Sequence, residues 1–218
     1  MSRRASGPPV GRPMLSLVQD LPNLCSLAAL LAAVFGLYFA VRGTYPAAMI
    51  ALLWAVVLDW SDGRLARAVE GRTADQRALG VQLDSLIDLV GFSVAPAVLL
   101  MQVGHLSAWF VPGAFVVLTA GVIRLSYFNV FGPLDDSTYR GLSLDNNIYV
   151  LALLFAFEPL IAAAVFAVVL YAALMVLAAL NVASIATPKR GGRWYFVVIA
   201  YAVVLSLVFA VQLLPADL

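Results

Sequence analysis

Charged residues are scarce in this chain of 218 residues, of which only 11% are Asp, Glu, Lys or Arg. A soluble domain carries about twice that share, so the composition excludes an ordinary soluble fold. The net charge is +1, which provides no extended basic field of the kind that attracts nucleic acid. Cys25 is the single cysteine, so no disulfide can form within the chain, and the redox compartment cannot be inferred.

Long apolar runs take the place of charge. Hydrophobic residues make up 63% of the sequence, and the run from Leu160 to Leu180 contains no polar interruption. The run from Leu24 to Val41 is interrupted only by Ser26 and Gly36. A helix of about 20 apolar residues, rising 1.5 Å per residue, matches the hydrocarbon thickness of a bilayer. The sequence therefore predicts an all-α, polytopic bundle of about six to seven membrane-spanning helices.

Turn-forming residues divide the apolar sequence into seven predicted spans. They are Leu24–Val41, Tyr45–Arg67, Gly80–Met101, Ala108–Phe128, Ser143–Phe157, Leu160–Val182 and Trp194–Leu213. The fifth is the shortest. No linker is long enough to divide the chain, so we expect a cytoplasmic N-terminal segment over residues 1–21 and one transmembrane domain over residues 22–218.

Positive charges predict the orientation of these spans, because loops facing the cytoplasm are enriched in Lys and Arg. With the N-terminus inside, only Arg42 of the 13 basic residues faces outward. The twelve on the inner side are Arg3, Arg4, Arg12, Arg64, Arg67, Arg72, Arg77, Arg124, Arg140, Lys189, Arg190 and Arg193. We interpret Arg64, Arg72 and Arg77 as part of this topology signal. The same orientation places four aspartates at the cytoplasmic ends of the second and third spans.

Those aspartates are the most informative feature of the sequence: Asp59, Asp62, Asp84 and Asp88. A charged carboxylate near the centre of a bilayer costs about 2.5–3.5 kcal/mol. The spacings are i, i+3 in the first pair and i, i+4 in the second, so each pair shares one face of a helix. Two such faces brought together form an oxygen-lined pocket suited to hard divalent cations such as Mg²⁺ or Mn²⁺.

The residues around the aspartates form a longer motif. Asp62-Gly63, Ala66-Arg67, Gly80, Asp84 and Asp88 follow the order D-G-x2-A-R … G-x3-D-x3-D, with Asp59 three residues upstream. This motif resembles the signature of the CDP-alcohol phosphatidyltransferase family. One departure is the stretch from Ala68 to Leu79, which is longer than the spacing usual in that family. We expect the insertion to lie in a polar loop where length is tolerated.

The resemblance implies roles for these residues. Asp59, Asp62 and Asp84 would ligate a pair of divalent ions, and Asp88 would complete the metal site and act as general base. Around the CDP moiety of a CDP-linked lipid would lie Gly63, Ala66, Arg67 and Gly80. Their chemistry agrees: glycine lets a nucleotide approach the backbone, and arginine holds phosphate through two hydrogen bonds. The family resemblance also implies a homodimer.

The acceptor alcohol is less well defined by the sequence. The segment Leu83–Ala97 and the residues after Arg124 resemble the bacterial phosphatidylserine synthase branch, which favours serine. The longer insertion and an Asn at position 147 are more similar to bacterial phosphatidylcholine synthases, and inositol phosphate and glycerol 3-phosphate remain alternatives. Candidate acceptor-binding residues are Arg124, Arg140, Asp145 and Asn147. For the last two, capping of the fifth helix is slightly favoured over acceptor binding.

A different class of protein also uses carboxylates within the membrane, namely transporters with a proton or ion relay. Such a relay requires polar residues across the whole bilayer. Here the outer halves of the predicted spans are almost entirely apolar, which favours the enzyme over the transporter. For Pro22-Asn23, before the first span, we favour a role in chain entry over nucleotide contact.

Overall fold

The structure is a computed structural model that describes residues 13–135, 138–189 and 191–214. Arg3, Arg4, Arg12 and Arg190, which contribute to the predicted charge asymmetry, lie outside the described residues, as does most of the predicted N-terminal segment. The helices are α1 (Leu21–Val41), α2 (Tyr45–Ala68), α3 (Ala74–Leu89), α4 (Ala95–Val103), α5 (Val111–Phe131), α6 (Asp145–Ala156), α7 (Ala163–Val182) and α8 (Trp194–Gln212). A π-helical turn, Val90–Val94, joins α3 to α4 into one continuous rod.

The predicted all-α membrane bundle is confirmed. Among the described residues, six helical stretches are long and apolar enough to cross a bilayer, with α3, the π-turn and α4 counting as one and a short 3-10 turn extending α5. The fifth predicted span, Ser143–Phe157, does not meet that length. Its helix α6 has 12 residues, or about 18 Å at 1.5 Å per residue, whereas the hydrocarbon core measures about 30 Å.

Helix α6 nevertheless runs between the two ends of the bundle. At its start, the indole Nε1 of Trp60, near the end of α2, donates a hydrogen bond to Asp145 Oδ2 at 3.2 Å. At its other end, the ring of Phe155 lies 5.2 Å from that of Tyr45, the first residue of α2. The chain therefore passes from one end of the bundle to the other through α6, a short helix whose polar first turn is buried inside the bundle.

Local sequence explains where several helices begin. Proline occupies the first turn of α1 and of α2, where its missing N–H is unneeded and its fixed φ favours the helix. Helix α3 begins with a capping box, in which the Thr73 side chain accepts from the Gln76 amide while Gln76 Oε1 accepts from the Thr73 amide at 2.9 Å. The longer stretch Ala68–Leu79, predicted as a polar loop, is thus partly helical, because α3 begins at Ala74.

A buried apolar core holds the helices together. Helices α1 and α2 approach closely at Gly36, where a Cβ atom would lie only 2.6 Å from the Leu52 side chain. Large side chains from the remaining helices fill the centre, including fully buried Leu99, Leu151 and Leu170. Small residues at helix contacts and aliphatic residues between them are typical of membrane bundles.

Two short strands close the end of the bundle that carries the aspartates. Strand β1 (Thr138–Arg140) pairs antiparallel with β2 (Ala186–Pro188), with Tyr139 opposite Thr187. The hydroxyl of Thr187 also donates to the carbonyl of Gly141 at 2.7 Å. The connection between α5 and α6 is thereby fixed to the connection between α7 and α8.

We expect replacement of Gly141 by alanine to destabilise this closure. Gly141 has a φ of +73°, and a Cβ atom there would collide with the carbonyl of Asn181 at the end of α7. The left-handed conformation alone costs a non-glycine residue about 1–2 kcal/mol, and the collision adds to that cost. Thermal unfolding of the purified variant in detergent tests this expectation. Gly191→Ala, with open space around its Cβ position, is the matched control and should leave the melting temperature unchanged.

Candidate active site

Two helices position the four aspartates. Asp59 and Asp62 lie near the C-terminal end of α2, and Asp84 and Asp88 lie in the second half of α3. Carboxylate oxygens of Asp59, Asp84 and Asp88 lie within 4.8 Å of one another. The predicted sharing of helix faces therefore brings three of the four carboxylates into one cluster.

The chemistry of this cluster fits a divalent metal. All of its ligand atoms are oxygens, which hard cations such as Mg²⁺ and Mn²⁺ prefer. Asp88 Oδ1 is buried and has no hydrogen-bond partner, and no Lys or Arg among the described residues forms an ion pair with any of the three. Buried carboxylates normally require a partner, and a bound cation would meet that requirement.

Asp62 is held apart from the other three. Its carboxylate accepts a short hydrogen bond from the hydroxyl of Ser26 on α1, and only 7% of the residue is exposed. Asp62 and Asp84 line the same small cavity, so Asp62 remains next to the cluster. Ser26 was not predicted to belong to the site. Its position as one of only two interruptions in the first apolar run could have indicated that it does.

The small cavity has a volume of about 130 Å³ and lies between α1, α2 and α3. Three of the residues predicted to surround a CDP moiety line it: Gly63, Ala66 and Gly80. Gly63 faces open space, with only the Arg67 side chain within 4 Å of its Cβ position. Gly80 instead allows Asn23 to approach, because a Cβ atom there would lie 2.6 Å from Asn23 Oδ1.

Besides Ser26, three polar residues line this cavity that the sequence did not assign to it: Asn23, Arg72 and Arg77. The two arginines were interpreted as topology signals, and Asn23 as a chain-entry residue. Arg72 pairs with Asp20 at 2.5 Å and donates to Asn23 Oδ1 at 3.1 Å. The polar and unusually long connection between α2 and α3 could have indicated that these residues belong to the site. Its position over the cavity, however, depends on contacts with α1, which the sequence does not show. Arg67 is exposed and does not line the cavity.

A larger cavity of about 320 Å³ lies on the other side of the cluster, and all three clustered aspartates line it. Its lining also includes Arg124 from α5 and Asp145 from α6. Arg124 is buried, with its guanidinium 5.5 Å from the centre of the Phe128 ring, and it forms no ion pair with the described residues. The two predicted acceptor residues thus place opposite charges in the lining of one cavity.

The strand pair closes this cavity through Tyr139, Thr187 and Pro188. Burial raises the pKa of the Tyr139 phenol above its usual range, although the nearby positive charge of Arg124 opposes the rise. Because the usual phenol pKa is already about 10, Tyr139 stays protonated at neutral pH. It can therefore donate a hydrogen bond into the cavity.

The other two predicted acceptor residues do not line the cavity. Arg140 is exposed, and its guanidinium lies over the ring of Tyr127. Asn147 is 2% exposed, and its Nδ2 donates to the carbonyl of Phe92 at 2.9 Å. Proline at position 96 has no N–H to offer that carbonyl four residues earlier, so Asn147 supplies a donor and stabilises the π-turn next to Asp88. Such turns are frequent at functional sites.

The two cavities meet at one residue, Asp84, which lines both. A molecule in the small cavity and a molecule in the large cavity would therefore approach each other at the carboxylate cluster. This arrangement suits a reaction between two substrates, one of which carries charge that a metal neutralises.

Comparison with known proteins agrees with this geometry. The sequence model described as CDP-alcohol phosphatidyltransferase matches residues 19–139, more than half of the chain. The CDP-diacylglycerol–serine O-phosphatidyltransferase of Mycobacterium tuberculosis is 37% identical over 134 residues, which cover 61% of this chain and 44% of that protein. The archaetidylserine synthase of Methanothermobacter thermautotrophicus is 37% identical over 112 residues, covering 50% of this chain and 47% of the relative.

These alignments span less than half the length of the relatives. The family match covers more than half of this chain, and it contains the motif from Asp59 to Asp88 and both helices that carry it. It also contains α1, which supplies Ser26 and Asn23 to the site. On this evidence the chain belongs to the CDP-alcohol phosphatidyltransferase family.

Proposed function

We propose that this protein transfers a phosphatidyl group from CDP-diacylglycerol to serine and releases CMP. The observation that carries the proposal is the meeting of two cavities at the carboxylate cluster. The names of the relatives support the acceptor, because two of them act on serine or form a serine lipid by name. The membrane-spanning helices suit a donor that arrives laterally from the bilayer.

The donor's nucleotide would occupy the small cavity. Gly63, Ala66 and Gly80 would let the CDP moiety approach the helix backbones, and Arg67 would hold a phosphate from the rim. Asp59, Asp62, Asp84 and Asp88 would hold a pair of Mg²⁺ or Mn²⁺ ions, whose charge would neutralise that of the diphosphate during displacement. With the diphosphate bound next to Asp84, the lipid-bearing phosphorus of the donor would face the large cavity.

Asp88 would act as general base from the wall of the large cavity. The acceptor hydroxyl would give its proton to the Asp88 carboxylate, and its oxygen would form a bond to the lipid-bearing phosphorus. The bond from that phosphorus to the bridging oxygen of the diphosphate would break, and CMP would leave with the electron pair. The proton on Asp88 would then pass to water.

The charges on the large cavity's wall favour serine over the other acceptors. Serine is a zwitterion, so its carboxylate would pair with Arg124 and its ammonium group with Asp145. Choline has no anionic group and would place its cation near Arg124. Inositol phosphate and glycerol 3-phosphate carry a dianionic phosphate, which Asp145 would repel, and neither has a cationic group to pair with Asp145.

An assay of CMP release tests this choice. Purified protein in detergent would receive CDP-diacylglycerol, Mg²⁺ or Mn²⁺, and one acceptor at a time: serine, choline, inositol phosphate or glycerol 3-phosphate. We expect release with serine. Release only with another acceptor would overturn the serine assignment and keep the reaction class, and folded protein that is silent with every acceptor would contradict the class.

The same assay tests the two wall residues. Arg124→Gln and Asp145→Asn should each raise the KM for serine about tenfold to hundredfold, because each removes a charge-assisted hydrogen bond. The KM for CDP-diacylglycerol should change little. Arg42→Gln, at the opposite end of the bundle, is the matched control. Equal effects on both substrates would argue against acceptor contacts and for a general disturbance of the site.

The cellular setting belongs to the same proposal. We propose a bacterial inner-membrane protein, and the Lys and Arg distribution supports an orientation with the N-terminus and active site in the cytoplasm. Serine and CMP would then enter and leave on the cytoplasmic side. We further propose the single domain over residues 22–218 as the catalytic unit, and a homodimer, as the family resemblance implies.

A further inference from the structure

The small cavity carries two arginines on the side away from the carboxylate cluster, Arg72 and Arg77. We propose that Arg77 contacts the nucleoside part of the donor and helps determine its specificity, with Arg72 as a positioning residue behind it. This inference rests on the proposed function, since it assigns a nucleotide to the small cavity. The inference gives a binding role to residues between Arg67 and Gly80, a stretch in which the family motif specifies no residue.

The spacing along α3 sets where each part of the donor would lie. Arg77, Gly80 and Asp84 follow the i, i+3, i+7 pattern of one helix face, and all three line the cavity. Arg77 and Asp84 are therefore about 10.5 Å apart along the helix axis. The reacting phosphorus must lie near Asp84, where the acceptor cavity opens, so the diphosphate occupies that end. The space beyond Gly80 is left for the nucleoside.

The backbone and side chains around Arg77 hold it in place. Its Nη1 donates to the carbonyl of Arg72 at 2.5 Å. Arg72 is fastened in turn by Asp20, and the Thr73–Gln76 capping box fixes the turn between the two arginines. The connection is thus tied to α1 on one side and to α3 on the other.

The two arginines differ in how many of their ion-pair and hydrogen-bond partners lie within the protein. The Arg72 guanidinium is buried, pairs with Asp20 and donates to Asn23 and to the Gln76 carbonyl. Arg77 is exposed at the cavity mouth and forms no ion pair with the described residues. Apart from the Nη1 bond to the carbonyl of Arg72, its N–H groups are free to donate to acceptor atoms of a base or ribose in the cavity that it lines.

The test uses the variant Arg77→Gln in the full-length purified protein. Binding of CMP is measured by calorimetry in the presence of Mn²⁺, and the KM values for CDP-diacylglycerol and serine are measured from turnover. We expect CMP binding to weaken about tenfold and the KM for the donor to rise by a similar factor. The kcat and the KM for serine should stay within about twofold. The exposed position of Arg77 makes misfolding of this variant unexpected, and thermal unfolding in detergent checks it.

Arg64→Gln is the matched control, because Arg64 packs over the ring of Tyr195 and does not line the cavity. Unchanged CMP binding in Arg77→Gln would overturn the inference, as would wild-type protein that binds no CMP. A loss seen with CMP but not with cytidine as inhibitor would place Arg77 on the phosphate and overturn its assignment to the nucleoside. Wild-type protein that binds CMP through Arg77 but transfers nothing would contradict the proposed function alone.

Discussion

Replacement of Asp88 by asparagine is expected to lower the rate of phosphatidyl transfer by about 10²- to 10⁴-fold, the usual contribution of a general base. Asp88 lies in the carboxylate cluster and lines the large cavity, and its Oδ1 is buried without a partner. Asparagine keeps the shape of the side chain but cannot accept a proton at neutral pH. The measurement is CMP release with saturating donor and serine.

Asp75→Asn is the matched control for this variant. Asp75 belongs to the first turn of the same helix, α3, and is exposed outside both cavities. Both variants should insert, purify and unfold like the wild type, because each exchange is nearly isosteric. Turnover by Asp88→Asn at the rate of the control would remove Asp88 from the role of base.

Asp84→Asn is the second change with a large expected effect, and it acts on the metal. Loss of an outer partner of a metal ligand typically costs about 10–100-fold in affinity, and loss of a direct ligand should cost more. Asp84 also lines both cavities, so the change should disturb both substrates. We expect the Mn²⁺ concentration for half-maximal activity to rise more than about 100-fold.

A metal titration of the purified variant measures this shift, with Asp75→Asn again as the control. Activity that rises again at high Mn²⁺ would show that the site is weakened and the fold is intact. A titration curve that coincides with that of the wild type would contradict ligation by Asp84. Such a result would require a different explanation for the clustering of three carboxylates.

Helical spacing was sufficient to predict the central cluster. The i, i+3 and i, i+4 spacings place each pair of aspartates on one helix face, and Asp59, Asp84 and Asp88 do lie together. Asp62 shows the limit of this reasoning. Its carboxylate turns to Ser26 on α1, a contact between helices that no local spacing encodes.

The fifth predicted span was wrong in length for a similar reason. Hydrophobicity extended it from Ser143 to Phe157, but its first turn is polar and buried among other helices. A helix that begins inside the bundle needs fewer residues to reach the far end. The sequence alone gives no measure of how deep a helix starts.

The sequence did not indicate the contacts that Arg77 and Asn147 make in the structure. Arg77 was interpreted as a topology signal and lines a cavity, whereas Asn147 was predicted to bind the acceptor and donates to the carbonyl of Phe92. Pro96 could have indicated the second of these, since it leaves a carbonyl without its helical donor. Which residue would supply the missing donor depends on the packing of α6 against the π-turn.

The central claim is that one site moves a phosphatidyl group directly onto the oxygen of an alcohol. The measurement that tests it most directly uses serine labelled with ¹⁸O in its hydroxyl group, purified protein, CDP-diacylglycerol and Mn²⁺. We predict equal amounts of CMP and phosphatidylserine, with the label retained in the ester oxygen between serine and phosphorus. CMP formed together with phosphatidic acid, and with no labelled lipid, would mean that water is the acceptor and would contradict the account.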